Sequence, residues 1–161
     1  MPNFTLDRLD QRILGELQAD ARLTNVQLAE RIGLSPSPCL RRVRMLEQEG
    51  VIKSYHAYLD RNNVGLGLTV FVGVKVERHQ AENSTAFRNA VISLPEVVSC
   101  HLVSGESDFL LQVVLPDLKA YEEFLLGTLL SLPGVSDIRS NFAIATVKAE
   151  TVLPLGHLSV S

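Results

Sequence analysis

Through the first fifty positions, apolar residues recur at helical spacing. Leu9, Ile13, Leu14 and Leu17 follow a 3.6-residue period behind Thr5 or Asp7, either of which suits a helix N-cap, so a first helix is predicted to end near Ala19. Thr24 or Asn25 caps a shorter second helix with Val26, Leu28, Ala29 and Ile32 inward, and Gly33 supplies the left-handed residue that stops it. After the break at Gly33, Leu34 and Ser35, a third helix capped by Ser35 or Ser37 runs to about Glu49. Its Pro36 and Pro38 are tolerable because a first helical turn has no donors to lose. On this third helix Cys39, Val43 and Leu46 fall at i, i+4 and i+7, one inward stripe that leaves Ser37, Pro38, Arg41 and Arg44 facing outward.

At Gly50 the period changes. VIKSYHAYL alternates like a strand, and the polar stretch from Asp60 to Asn63 marks a boundary. From Leu66 the chain repeats itself. LTVFVGVKVE, a helical stretch through Phe87, Ala90, Val91 and Leu94, and PEVVSCHLVSG read as strand, helix, strand. DFLLQVVLP, LKAYEEFLLGTLLSL and PGVSDIRSNFAIATV repeat the order, with SLPEV at 93–97 and SLPGV at 131–135 as common punctuation. Two such units make βαββαβ, the ferredoxin-like arrangement in which a four-stranded antiparallel sheet lays one face on two helices. Val70, Val72, Val74 and Val76 alternate with Phe71, Gly73 and Lys75, so both faces of this strand carry apolar positions. A bare apolar face predicts a homodimer at least. The fold expected is α+β, with a helix-turn-helix domain at 1–52, a linker strand and hinge at 53–65, and a βαββαβ domain at 66–161.

Composition narrows the class. Hydrophobic residues make up 46% and charged residues 20% of the chain, no apolar run reaches the roughly 18 residues of a membrane span, and MPNFTLDRLDQ has no basic-then-apolar leader pattern. A cytoplasmic protein is expected. The first 60 residues balance acids and bases, so the net charge of −3 arises beyond them, and Arg41, Arg42 and Arg44 form a locally basic cluster. Cys39 and Cys100 read as buried thiols without metal-ligand spacing. His56, His79, His101 and His157 are scattered, and no GxxxxGK or GxGxxG loop opens a helix, so neither enzyme activity nor a metal or cofactor is expected.

Two segments can carry recognition chemistry. In a helix-turn-helix the third helix enters the major groove, where Arg41 or Arg44 can address guanine edges bidentately while Thr24, Asn25 and Ser37 suit phosphate oxygens. Spacing alone also admits an ordinary three-helix fold with a solvated arginine face. The second segment is the turn Ser104, Gly105, Glu106, Ser107 and Asp108. From pattern alone it is a hairpin whose glycine permits positive φ.

The segments LDRLDQRILGELQADAR, NVQLAERIGLSPSPCLRRVRMLEQEGVI, HLVSGESDFLLQVVLPDLKAY and LPGVSDIRS resemble the Lrp/AsnC family of transcriptional regulators, closest to its leucine-responsive type, over nearly the whole chain. The resemblance implies a winged helix-turn-helix domain, a linker strand and a ferredoxin-like effector domain in dimers that assemble further, to tetramers or octamers. It implies double-stranded DNA and an amino-acid effector as partners, with a nucleoid-associated cytoplasmic location. Ser37, Pro38, Arg41 and Arg44 match the family's groove-facing positions, and Arg42 either joins them or pairs internally. The implied effector residues are Ser104, Gly105, Glu106 and Asp108 of the turn, with Leu118, Asn141, Phe142 and Ala143; beside such an effector site the turn's freed amides would hold an α-carboxylate and Asp108 would accept from an α-ammonium group. Ser107 and Asn141 stand where the leucine-responsive type has aromatic residues. A ligand-independent architectural DNA-binding protein is the alternative function.

Overall fold

Local hydrogen bonding fixes where the N-terminal helices start and stop in the computed structural model, which describes residues 5–77, 81–149 and 152–158; His79 lies outside them. Helix α1 (Arg8–Ala19) begins where Asp7 accepts from the amides of Leu9 and Asp10 and the Asp10 carboxylate accepts from the Asp7 amide. Helix α2 (Asn25–Ile32) is capped by Thr24, whose hydroxyl accepts from the Gln27 amide. It ends at Gly33, φ 74°, with Leu34 N–H donating to Ala29 and Gly33 N–H to Glu30, the paired bonds of a Schellman ending. Helix α3 (Pro36–Gln48) has Ser35 at its N-cap position with no side-chain bond and Pro36 in the first turn. Ile13, Leu14, Leu28, Ala29, Ile32, Cys39 and Leu46 form the buried core of these three helices. Val26, expected inward, is 61% exposed, because Leu28, Ala29 and Ile32 already fill the inner face of so short a helix.

The chain divides into two units, one comprising the residues up to Ala57 together with those from Lys148 onward, the other Tyr58–Val147. The C-terminal segment thus belongs with the N-terminal helices and not with the sheet, in contrast to the 66–161 boundary read from sequence. Gln18 holds the Leu153 backbone on both sides, its Oε1 accepting from the amide at 2.7 Å and its Nε2 donating to the carbonyl at 3.3 Å, and Gln11 Nε2 donates to the Leu155 carbonyl at 2.8 Å. Leu155 packs on the three-helix core. Each such bond contributes about 1 kcal/mol net, so the segment is seated but not locked.

No strand forms over 51–66. A strand needs a ladder partner for its backbone groups. The described residues offer none, and Tyr55, Tyr58 and Leu59 are exposed. Instead Asp60 closes a turn by accepting from the amides of Asn62 and Asn63, and the Tyr55 hydroxyl donates to Glu47 at the end of α3.

The second unit runs β1 (Leu68–Val76), α4 (Ala81–Ile92), β2 (Val97–Leu102), β3 (Phe109–Leu115), α5 (Leu118–Gly127), a single 3-10 turn (Leu129–Ser131) and β4 (Val135–Phe142). The sheet order is β2-β3-β1-β4 with every neighbouring pair antiparallel, the ferredoxin-like topology. Val70, Val72, Val74 and Val76 face the helices with Phe87, Val91, Phe109, Leu111, Tyr121, Phe124 and Leu129. The opposite face is less apolar than expected. Register puts Phe71, Gly73 and Lys75 of β1 beside Asn141, Arg139 and Asp137 of β4, so charged and amide groups interrupt the apolar positions. Cys100 is exposed, not buried, because β2 is an edge strand with a neighbour on one side only.

Candidate DNA and effector sites

The three clustered arginines of α3 do not share one direction, since each residue turns 100° about the axis. Arg41 and Arg44 are exposed and lie with Ser37 at i, i+4 and i+7 on one face. Arg42 points inward: its Nη1 lies 2.8 Å from Asp10 Oδ1 and 2.8 Å from Asp7 Oδ2 on α1, and the Asp10 side chain is 2% exposed. Arg42 therefore fastens α3 to α1 and does not share the exposed face of Arg41 and Arg44. For Asp7, burial opposes ionisation, but the Asp10 amide and the hydrogen bond and charge of Arg42 outweigh it and hold the carboxyl below its ordinary value.

The other polar candidates are also partly committed. Asn25 donates from Nδ2 to the Pro36 carbonyl at 2.8 Å, tying the start of α2 to the start of α3. Thr24 is exposed, with its hydroxyl serving the α2 cap. Pro38 is half-buried beside the outward stripe. One residue of that stripe escaped the sequence reading: Leu40, 37% exposed, sits three positions after Ser37 and four before Arg44. Its spacing was the available signal.

The turn between β2 and β3 is built by backbone pairing to the far end of β1. Val103 N–H donates to the Asp108 carbonyl, Asp108 N–H to the Val74 carbonyl, and the Asp108 carboxylate accepts from the Val76 amide at 3.0 Å. Asp108 thus ties the turn to β1 through both its backbone and its carboxylate. Ser104, Gly105 and Glu106 form an exposed tip, Gly105 taking φ 123°. Glu106 pairs with Arg139 of β4, and Ser107 lies over Gly73, where a Cβ would overlap its hydroxyl. Gly73 is thus required by close approach.

Asn141 lies two positions beyond Arg139 on β4, the same face as the turn and about 7 Å further along. Phe142 faces the other way, edge-on to the Tyr121 ring, and Ala143 donates to Thr69 near the opposite end of β1. Leu118 opens α5, 63% exposed. A single chain therefore gathers Glu106, Ser107, Arg139 and Asn141 on one face of the sheet and leaves Leu118, Phe142 and Ala143 away from them. Arg139 was missed in the sequence, although Asp137, Arg139 and Asn141 alternate as residues sharing one face of a strand must.

A three-helix reader with an exposed basic stripe, joined to a ferredoxin-like ligand domain, defines a one-component transcriptional regulator. Comparison with known proteins agrees: residues 6–53 match the family model described as winged helix-turn-helix DNA-binding, and residues 69–153 the one described as Lrp/AsnC ligand binding domain. The leucine-responsive regulatory proteins of Klebsiella pneumoniae and Escherichia coli are each 46% identical over 147 residues, 91% of this chain and 90% of theirs. A transcriptional regulator from Neisseria meningitidis, solved as an L-Met complex, is 45% identical with a TM-score of 0.93, over 96% of this chain and 100% of that one. An AsnC family regulator from Agrobacterium tumefaciens is 40% identical with a TM-score of 0.89, over 93% and 97% of the two chains. The chain belongs to the Lrp/AsnC family of transcriptional regulators. No helix among the described residues is long and apolar enough to cross a membrane.

Proposed function

We propose that α3 reads the major groove through Arg41 and Arg44, with Ser37 on a phosphate and Leu40 against a thymine methyl, and that the sheet unit takes a free amino acid beside the Ser104–Asp108 turn. The observation that carries the first part is the sorting of the arginines: Arg42 is consumed by Asp7 and Asp10, whereas Arg41 and Arg44 share an exposed face with Leu40 and Ser37. A bidentate arginine on guanine discriminates by about 1–3 kcal/mol. The second part is supported by the Neisseria relative and its L-Met ligand. Arg139, beside Glu106, is a cation able to receive an α-carboxylate once that pair opens. Leu118, Phe142 and Ala143 stand apart from the turn within one chain, which favours a pocket completed by a second copy, so the reading includes a homodimer and larger assemblies. Action is non-enzymatic and located in the cytoplasm, on the nucleoid.

The test has two arms. Arg41→Ala with Arg44→Ala should abolish binding to a duplex selected from a random pool while leaving oligomeric mass unchanged; unaltered affinity refutes the reading of α3. A thermal-shift series over the twenty amino acids should give stabilisation by at least one, about 2.7 kcal/mol at a hundredfold excess over its Kd. A flat response across the series removes the effector reading and leaves the architectural one.

A further inference from the structure

Within the first unit, α1, residues 51–56 and the C-terminal segment border a cavity of about 530 Å³, a size that suits a small-molecule ligand. Hydrocarbon makes up most of its wall, from Leu14 and Leu17 of α1, Ile52, and Leu155 and Leu158 of the C-terminal segment. Two further wall residues stay partly in water: Leu153 is 61% exposed and Val51 37%. An occupant lying against them removes that apolar surface from solvent.

The polar groups of the wall are nearly all engaged. Gln18 bonds both the amide and the carbonyl of Leu153, and the Tyr55 hydroxyl donates to Glu47. The Ser54 hydroxyl pairs with His56 Nε2 at 2.7 Å, and His157 Nδ1 lies 3.1 Å from the Pro154 carbonyl. Lys53 is different. It has no partner among the described residues, it is the one residue of fixed charge on the wall, and neither Asp nor Glu lines the cavity.

One free ammonium beside leucine side chains selects its ligand by charge. A lysine is a compact point charge with three donors, and a single carboxylate satisfies it. An alkylamine would meet like charge there, and a zwitterionic amino acid would bring an ammonium with no carboxylate to receive it. An uncharged apolar molecule would fill the hydrocarbon part and leave Lys53 to water.

We propose that this cavity is a second small-molecule site, in the other unit from the Ser104–Asp108 turn, and that it takes an apolar monocarboxylate, with its hydrocarbon along Leu14, Leu17 and Leu155 and its carboxylate on Lys53. Gln18 is a positioning residue, since it holds the Leu153 wall by backbone alone. Such a ligand touches α1, residues 51–56 and the C-terminal segment at once, so it stabilises the first unit by mass action.

The experiment uses the full chain and three probes of equal chain length, decanoate, decan-1-ol and decylamine, each kept below the concentration at which it aggregates. Titration calorimetry and thermal shift read binding, and light scattering reads oligomeric mass. The variants are Lys53→Met, which removes the charge and keeps the stem, and Leu153→Trp, which fills the cavity and leaves Gln18 the backbone that it holds. Decanoate should bind saturably, decan-1-ol about tenfold more weakly and decylamine more weakly again, because a charge-assisted hydrogen bond is at stake. Lys53→Met should weaken decanoate about tenfold. Leu153→Trp should abolish its binding, and oligomeric mass should be unchanged in both variants. Equal uptake of the three probes, or a decanoate affinity indifferent to Lys53→Met, overturns the proposal, since hydrocarbon partitioning alone does either. So does decanoate binding that survives Leu153→Trp, or its absence from the unmodified chain. A fall in oligomeric mass in either variant also overturns it, and gives the groove to a second copy of the chain.

Discussion

Arg42 Nη1 lies 2.8 Å from Oδ1 of Asp10, a carboxylate 2% exposed, and this pair bolts the DNA-reading helix to α1. Removing one partner of a buried pair leaves the other charge uncompensated, which costs more than the pair contributes. Arg42→Ala should lower stability by about 3 kcal/mol in urea unfolding. Replacing both, as Asp10→Leu with Arg42→Met, should recover more than half of that loss. Equal losses for the single and double variants would show that the pair is not what fastens the helices.

Leu40 makes a narrower prediction. With no hydrogen-bonding group, it can prefer only the methyl of thymine at a base edge. Leu40→Ala should weaken binding by about 1 kcal/mol at duplexes carrying thymine at one fixed position, and negligibly elsewhere. A selection from random DNA, run in parallel for the two proteins, reads this directly; identical preferences remove Leu40 from the contact set.

Close packing of the turn on β1 predicts the behaviour of Gly73. A methyl group there meets the Ser107 Cβ at 3.3 Å and overlaps its hydroxyl, so the serine must rotate and the tip must lift slightly. Gly73→Ala should cost about 1–2 kcal/mol, and Ser107→Gly in the same chain should restore most of it. Thermal unfolding of the four members of this double-mutant cycle measures the coupling.

Dependence on pH follows from two groups of the first unit. Burial first, then the hydrogen bond and charge of Glu47, push Tyr55 up to about 12 from an ordinary 10.0. A raised value means the stabilisation is complete below pH 10 and lost as pH climbs from 10 to 12. Asp7 is shifted the other way, so its contribution holds above its ordinary 3.8 and is lost as pH falls below that. Both side chains are about half exposed, which keeps the two limbs shallow. Tyr55→Phe should flatten the alkaline limb and Asp7→Asn the acid limb in urea unfolding followed across pH.

Much of what depended on neighbours in sequence was legible beforehand, although Ser35 makes no side-chain cap on α3 and Val26 is exposed. The Asp7 and Thr24 caps, the Gly33 stop and the inner stripe of α3 all act within one helical turn, and the repeated SLPEV and SLPGV punctuation announced the sheet topology. The fate of Arg42 was half visible: it lies three after Cys39 and four before Leu46, and Asp10 lies three before Ile13, so both flank the inner stripes. What stayed hidden came from distance or from what a chain lacks. Gln11 and Leu155 are 144 positions apart and carry no motif. VIKSYHAYL has strand composition, but composition supplies no ladder partner. On the sheet, register decides that Asn141 joins the turn's face while Phe142 turns away, and no single-strand pattern specifies register.

The return of the chain to α1 also orders its birth. On a ribosome the three helices emerge first, yet Leu155, which packs on their core, emerges only after all four strands of the sheet have been made. That unit is begun before the sheet unit and completed after it, so during synthesis its core waits for Leu155 while the sheet unit closes on its own contacts.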